Sequence, residues 1–262
     1  MRSPQPPKLP NELPRARRSS TSRSPRSQSP PEPEATSAQT APPASPPQRP
    51  RPSARASGRK LRSFDRAFGA RFVAGADEAG RGSLAGPLLV AGVLFDYRAL
   101  RGASTRPLAL LNDSKQLTAP ERERLFRAVV LCAERIVVRA FSPSRIDRDG
   151  LHVCNVEGLR AVLRALVPPA EICLVDGFRL GPQAPAHTAV VEGDERSAAI
   201  AAASIVAKVV RDRLMQRLDA LYPAYGFASH VGYLTPEHSA RVREHGPSHQ
   251  HRRSFRALCY AV

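Results

Sequence analysis

Gly75-Ala76-Asp77-Glu78-Ala79-Gly80-Arg81-Gly82-Ser83-Leu84-Ala85-Gly86 decides how the rest of this chain is read. It follows the apolar run Phe72-Val73-Ala74, so residues 72–76 read as a buried strand that ends in two adjacent carboxylates. Successive side chains on a strand point to opposite faces. Asp77 and Glu78 can therefore converge on one ion only where the chain bends or bulges, a deformation that Gly80 and Gly82 ease. An acid pair beside Gly-Arg-Gly suggests a hard cation held next to backbone that a phosphate can approach.

Downstream of the turn, residues 88–95 form a second continuous apolar run, suited to a strand buried on both faces. Residues 108–117 read as a connecting loop containing Asp113-Ser114-Lys115. Thr118, followed by Pro120 and Glu121, opens a helix that runs to about Arg135. A strand over residues 136–141 precedes a helix over 143–166, interrupted near Gly150. Residues 171–175 make a strand ending at Asp176-Gly177, and residues 188–191 a shorter one ending at Glu192-Gly193-Asp194. A long helix then covers 196–221, with Ile200, Ala203, Ala207, Val210, Leu214, Leu218 and Leu221 on one expected buried face. Residues 236–244 give a last clear helix. This order predicts an α/β fold, a mixed sheet flanked by helices with a C-terminal helical segment.

The folded part does not begin at the N-terminus. Residues 1–60 are rich in Pro, Ser and Arg, nearly free of large apolar side chains, and carry about +9 of the total +17. Such a segment buries too little surface to offset its ordering entropy, so it is expected to be a disordered basic tail. Residues 70–262 are expected to form one domain. That part is still basic, which suits a polyanionic partner such as nucleic acid. Cys132, Cys154, Cys173 and Cys259 are widely spaced, which argues against a zinc site or a disulfide framework. The longest near-apolar run, 84–95, is too short to span a membrane. No export signal precedes it, and the cytoplasm is the expected location.

Asp77, Glu78, Asp176 and Asp194 all fall at strand ends, where open α/β sheets place ligands. Gathered without a cation, four carboxylates would repel one another. Mg²⁺ or Mn²⁺ would stabilise them, and two such ions about 4 Å apart could hold an attacking water and a leaving oxygen in line. Capping of a turn or helix is the plainer explanation for any one acid alone. Asp212, four residues after Lys208, is better explained as its helical ion-pair partner. No Gly-Lys-Ser/Thr phosphate loop is present, and Gly80, Gly82 and Gly86 miss the dinucleotide spacing.

These residues resemble a known family. Gly75–Gly82 with Leu84-Ala85-Gly86-Pro87, Asp113-Ser114-Lys115-Gln116-Leu117, Val175-Asp176-Gly177 and Gly193-Asp194 are similar to the motifs of bacterial ribonuclease HII. So are Ala201–Asp212, Gly232-Tyr233, Glu237-His238 and His251-Arg252-Arg253-Ser254-Phe255. The likeness covers about residues 70–258 in order, and Gly-Arg-Gly favours type HII over HIII. Two positions depart from the family's usual wording: Val231 stands where Lys is common and Phe178 where Asn is usual.

The resemblance implies a ribonuclease H-like fold and an endonuclease that cuts the RNA strand of RNA–DNA hybrids. It also implies incision 5′ of single ribonucleotides embedded in duplex DNA, in replication and ribonucleotide excision repair, leaving a 3′-hydroxyl and a 5′-phosphate. Asp77, Glu78, Asp176 and Asp194 would be the catalytic, metal-binding acids for two Mn²⁺ or Mg²⁺ ions. Gly80, Arg81 and Gly82 would contact the ribose 2′-OH, the group that separates RNA from DNA. Tyr233 would pack on the following sugar, and Ser114, Lys115 and Lys208 would contact phosphate or the active site. The enzyme is expected to act as a monomer. A ribonuclease H-like DNA nuclease or a non-catalytic nucleic-acid binder are the rival readings.

Overall fold

The computed structural model describes residues 54–111 and 117–260. Residues 1–53 of the expected tail, together with Ser114 and Lys115, lie outside the described residues. Five strands form one mixed sheet in the order β3-β2-β1-β4-β5: β1 (Phe72–Ala79), β2 (Leu88–Asp96), β3 (Arg135–Phe141), β4 (Ile172–Asp176) and β5 (Thr188–Val190). The first three are antiparallel neighbours, whereas β4 and β5 run parallel to β1. Helices α1 (Ala54–Arg66), α2 (Ala119–Cys132), α3 (Pro143–Asp149) and α4 (Leu151–Leu166) are followed by α5 (Ala198–Leu221), α6 (Phe227–His230) and α7 (Pro236–His245).

The period of two along β1 and β2 sorts their side chains between two cores. Val73, Ala91, Val93 and Phe95 pack with α5 and α2, while Ala74, Ala76, Leu88, Val90 and Leu94 pack with α4. Every residue of β2 is buried, in keeping with its unbroken apolar run. A third apolar cluster, around Leu84, Met215, Phe227 and Val242, joins the end of α5 to the C-terminal segment. Gly150, at φ 90°, separates α3 from α4 where the break was expected.

Helix α5 differs from the single stripe read from its periodicity. Residues 198–207 are buried all round, because this half lies between the sheet and the surrounding helices. Leu221, assigned to the buried face, is 73% exposed where the helix has run past the sheet. All four cysteines are free thiols; Cys132 is half-buried and the others are buried.

Helix α1 has no counterpart in the sequence reading. Leu61 is buried in the α5-side core, and the Arg62 guanidinium donates to the Leu108 carbonyl at 3.0 Å. Its Asp65 is fully buried and reaches the start of α5, where Oδ2 accepts from the Ala199 N–H at 2.9 Å and the Tyr97 hydroxyl at 2.6 Å. This caps a helix whose first amides need acceptors. Burial pushes the Asp65 carboxyl up to about 6.

A raised carboxyl pKa favours the fold while the group is protonated, so its contribution is complete below the unfolded value and is lost as pH rises through about 6. Relative to wild type, Asp65→Asn should therefore gain on the order of 2–3 kcal/mol between pH 4 and pH 8. Urea unfolding of both proteins across that range checks it, and a pH-independent difference would contradict the assignment.

Candidate active site

The acids meet because of strand register. β1 and β4 are parallel neighbours with Ala76 opposite Val175, so the next residue on each, Asp77 and Asp176, comes side by side at the same sheet end. The β1–β2 register is regular through Ala79. The bulge expected between Asp77 and Glu78 is therefore absent, and the chain turns only afterwards, at Gly80 with φ 91°. Asp77 points toward α5 and Glu78 toward α4, and a cavity of about 560 Å³ wraps the strand end and takes in both. Asp176, Gly80, Arg81, Gly82, Ser204, Lys208, Tyr233 and Arg122 complete its wall.

Asp194 is buried in the turn Gly193–Glu195 just before α5 and does not line the cavity. Its turn is nevertheless tied to the site, because the Gly193 N–H donates to Asp176 Oδ1 at 2.7 Å. Among the described residues, no three His, Cys, Asp or Glu side chains are gathered closely enough to hold a metal ion as they stand.

Electrostatics explain the open arrangement. Asp77 is 6% exposed, and burial, reinforced by the charges of Glu78 and Asp176, holds its pKa well above the usual carboxylate range. The Glu78 N–H at 2.7 Å and the Ser204 hydroxyl partly offset this. Burial also raises Glu78, against the pull of Arg81, whose guanidinium donates to Glu78 Oε1 at 3.1 Å. Three acids facing one cavity, with oxygen donors and no thiol in the wall, suit a hard divalent cation, which would relieve their repulsion.

Two buried arginines secure the loop beside the acids. Arg211 on α5 donates to the carbonyls of Ala85, Pro87 and Val231, and Arg252 to those of Arg81 and Gly86. A Cβ on Gly80 would fall 2.1 Å from the Arg211 guanidinium, so this arginine sets how closely the turn packs. Burial lowers both arginines, Arg252 to about 9.

Lys208 lines the cavity and also pairs with Asp212 at 2.8 Å, the ion pair expected from their spacing. Tyr233, 38% exposed, stands 5.6 Å from the Lys208 ammonium and 5.7 Å from the Arg211 guanidinium, measured to the ring centre. Phe178 packs against His152. Val231 adopts φ 43° and is half-buried, with its carbonyl on Arg211.

Ser204 and Arg122 are cavity residues that the sequence reading did not single out. A serine inside the apolar run Ala201–Ala207 was the available signal for the first. Arg122 carried none, because its position depends on how α2 packs against α5.

The family model for Ribonuclease HII matches residues 74–258. Ribonuclease HII of Rhizobium meliloti (strain 1021) is 46% identical over 185 residues, which cover 70% of this chain and 82% of that protein. Ribonuclease HII of Mycobacterium avium (strain 104) is 47% identical over 183 residues, covering 70% and 77%. The crystal structure of ribonuclease H2 from Pyrococcus horikoshii OT3 is similar with a TM-score of 0.61 at 26% identity, over 72% of this chain and 95% of that one. A match that runs from β1 into the C-terminal segment at this identity means that the chain belongs to the ribonuclease HII family, whose members are endonucleases that cleave the RNA strand of RNA–DNA hybrids.

Proposed function

We propose that this enzyme also incises 5′ of single ribonucleotides embedded in duplex DNA, leaving a 3′-hydroxyl and a 5′-phosphate. The observation that carries this reading is one cavity shared by Asp77, Glu78, Asp176, the Gly80-Arg81-Gly82 turn and Tyr233. Cleaving groups, a backbone turn able to meet a 2′-hydroxyl and an aromatic ring able to cover the next sugar lie within one nucleotide's reach. The 2′-hydroxyl is the chemical difference between target and neighbours.

Asp77, Glu78 and Asp176, joined by Asp194 from the turn tied to Asp176, would hold two Mg²⁺ or Mn²⁺ ions. Bound there, such ions supply an acidified water and a positive charge for the departing 3′-oxygen. The remaining work falls to the protein. The Asp77 carboxylate is oriented by the Glu78 N–H and Ser204. The Gly80–Gly82 backbone, pinned by Arg211 and Arg252, presents a rigid surface to the ribose. Lys208, Ser114 and Lys115 would contact phosphate or the active site. The basic domain favours the duplex generally.

We place the enzyme in the cytoplasm as a monomer, acting after DNA replication in ribonucleotide excision repair. Its catalytic domain takes in residues 70–262 together with helix α1, whose Leu61 and Asp65 pack toward α5, and the basic tail is the part of residues 1–60 that precedes this helix. No helix among the described residues is long and apolar enough to cross a membrane.

The test is a DNA duplex carrying one ribonucleotide, incubated with and without Mg²⁺ or Mn²⁺. Metal-dependent nicking immediately 5′ of the ribonucleotide is expected, with an all-DNA duplex left intact. Cleavage of all-DNA duplex, or binding without any nick, would overturn the reading.

A further inference from the structure

Behind Tyr233 lie three histidines that take no part in the chemistry above. His230, His238 and His251 are buried at 7%, 0% and 1% exposure, against Tyr225 and Phe227. His230 and His238 stack with ring centres 4.1 Å apart. Their hydrogen bonds leave no choice of proton position. The Ser248 backbone N–H, which can only donate, points at His251 Nδ1 at 3.0 Å. That nitrogen is therefore bare, and the His251 proton sits on Nε2.

His251 Nε2 lies 3.1 Å from His238 Nε2, so the latter accepts and His238 carries its proton on Nδ1. His238 Nδ1 lies 2.9 Å from the Tyr233 carbonyl, which can only accept. A fixed donor at one end and a fixed acceptor at the other give the chain a single direction. His230 is set in the same way: it accepts from the Gly232 N–H on Nδ1 at 3.1 Å and donates from Nε2 to the Tyr225 carbonyl at 2.9 Å.

The same short segment is held from its other side. The Val231 carbonyl accepts from Arg211 at 2.8 Å, and the Gly232 carbonyl from the Ala85 N–H at 3.1 Å. Burial pushes His238 and His251 down to about 4, which keeps both rings neutral near pH 7. Neutrality is what the chain requires, because a second proton on His238 would face the Nε2–H of His251, and one on His251 would face the Ser248 N–H.

We infer that His251 and His238 form a one-way hydrogen-bond relay from the Ser248 amide to the Tyr233 carbonyl, and that they are positioning residues fixing how the Tyr233 ring meets the sugar beyond the ribonucleotide. The inference rests on the role proposed for Tyr233 above. In functional terms, the relay sets the enzyme's preference for an RNA-to-DNA junction over the interior of an RNA strand, without either histidine touching substrate.

The measured quantity is a selectivity ratio: kcat/KM at a single embedded ribonucleotide divided by kcat/KM within a uniform RNA–DNA hybrid. Tyr233→Ala is expected to lower it about tenfold, the scale of a lost contact that discriminates between substrates, and His238→Leu should lower it to a similar degree. His238→Asn should stay within about twofold of wild type, because its amide can replace the Nδ1 donor toward the Tyr233 carbonyl. In a Tyr233→Ala background, His238→Leu should lower the ratio no further, since both changes act through one ring.

A wild-type ratio in His238→Leu, with Tyr233→Ala reduced, overturns the relay and leaves the tyrosine's role standing. A wild-type ratio in Tyr233→Ala overturns the tyrosine's role and the relay with it. Should His238→Leu fail to fold, ¹⁵N spectra of the wild-type histidines at pH 7 decide. Nδ1–H on His238 with Nε2–H on His251 is required, and the opposite tautomers refute the inference.

Discussion

Asp77→Asn is expected to reduce cleavage of an RNA–DNA hybrid by about 1,000-fold or more, the scale of losing a group that acts as part of a catalytic unit. The same variant should be more stable than wild type when both are free of metal. Asp77 is buried beside Glu78 and Asp176, and its pKa is raised well above the unfolded value. Its contribution to the fold is therefore complete below the unfolded pKa and lost as pH rises through the folded one. Above its folded pKa the ionised side chain opposes folding, and an amide of nearly the same shape removes that cost. Thermal melts in chelator should show a higher Tm for Asp77→Asn at pH 8, with the difference shrinking toward pH 4. Adding Mg²⁺ or Mn²⁺ should raise the Tm of wild type more than that of the variant, because a ligand specific to the native state stabilises it. Near-normal cleavage, or a variant less stable than wild type at pH 8, would remove Asp77 from the role assigned to it.

Gly75→Ala should damage the fold and the site together. A Cβ at this position would fall 2.1 Å from the Ala199 carbonyl carbon and 2.3 Å from the Ile200 nitrogen. These are backbone atoms in the first turn of α5, so no side-chain rotation relieves the clash. Either the helix moves away from β1 or the strand bends. Overpacking a well-filled core costs typically 1–3 kcal/mol, and a backbone collision should place this variant near or above about 3 kcal/mol on that scale. The helix carries Ser204 and Lys208 and follows the turn holding Asp194, and the strand carries Asp77 and Glu78, so either movement displaces the site. The fraction of protein that remains folded should therefore lose activity too. Urea unfolding alongside hybrid cleavage measures both, and a variant within about 0.5 kcal/mol of wild type, the range of neutral surface changes, would show that the helix has more room than its packing indicates.

Much of this molecule was legible from local pattern. All five strands and the helices over 119–132, 143–166, 198–221 and 236–245 lie within a few residues of where periodicity and capping residues put them. Thr118 stands at the expected N-cap, with its N–H donating to Glu121 Oε2 at 2.7 Å, and Lys208 pairs with Asp212 as their spacing implies. The local geometry of the acids was harder to read. Adjacent strand residues point to opposite faces, from which a bend or bulge is expected at Asp77-Glu78. A cavity that wraps the sheet end admits both carboxylates with the strand left regular. Helix α1 escaped notice because Ala54–Arg66 is strongly polar, and its few apolar residues gain meaning only when Leu61 and Asp65 reach α5.

By itself the sequence determined which residues end strands, where the glycine turn falls and that acids stand at those ends, since each follows from the preferences of neighbouring residues. Tertiary structure alone decided what those ends meet. The parallel pairing of Ala76 with Val175 brings Asp77 beside Asp176 across about 100 residues of chain. Arg211 and Arg252 reach from distant segments to fix the turn beside them. His238 and His251 orient a tyrosine whose side chain they do not contact through any hydrogen bond to the ring. Register, burial and hydrogen-bond direction depend on which surfaces pack together, and a pattern of period two or 3.6 specifies a face without naming its partner.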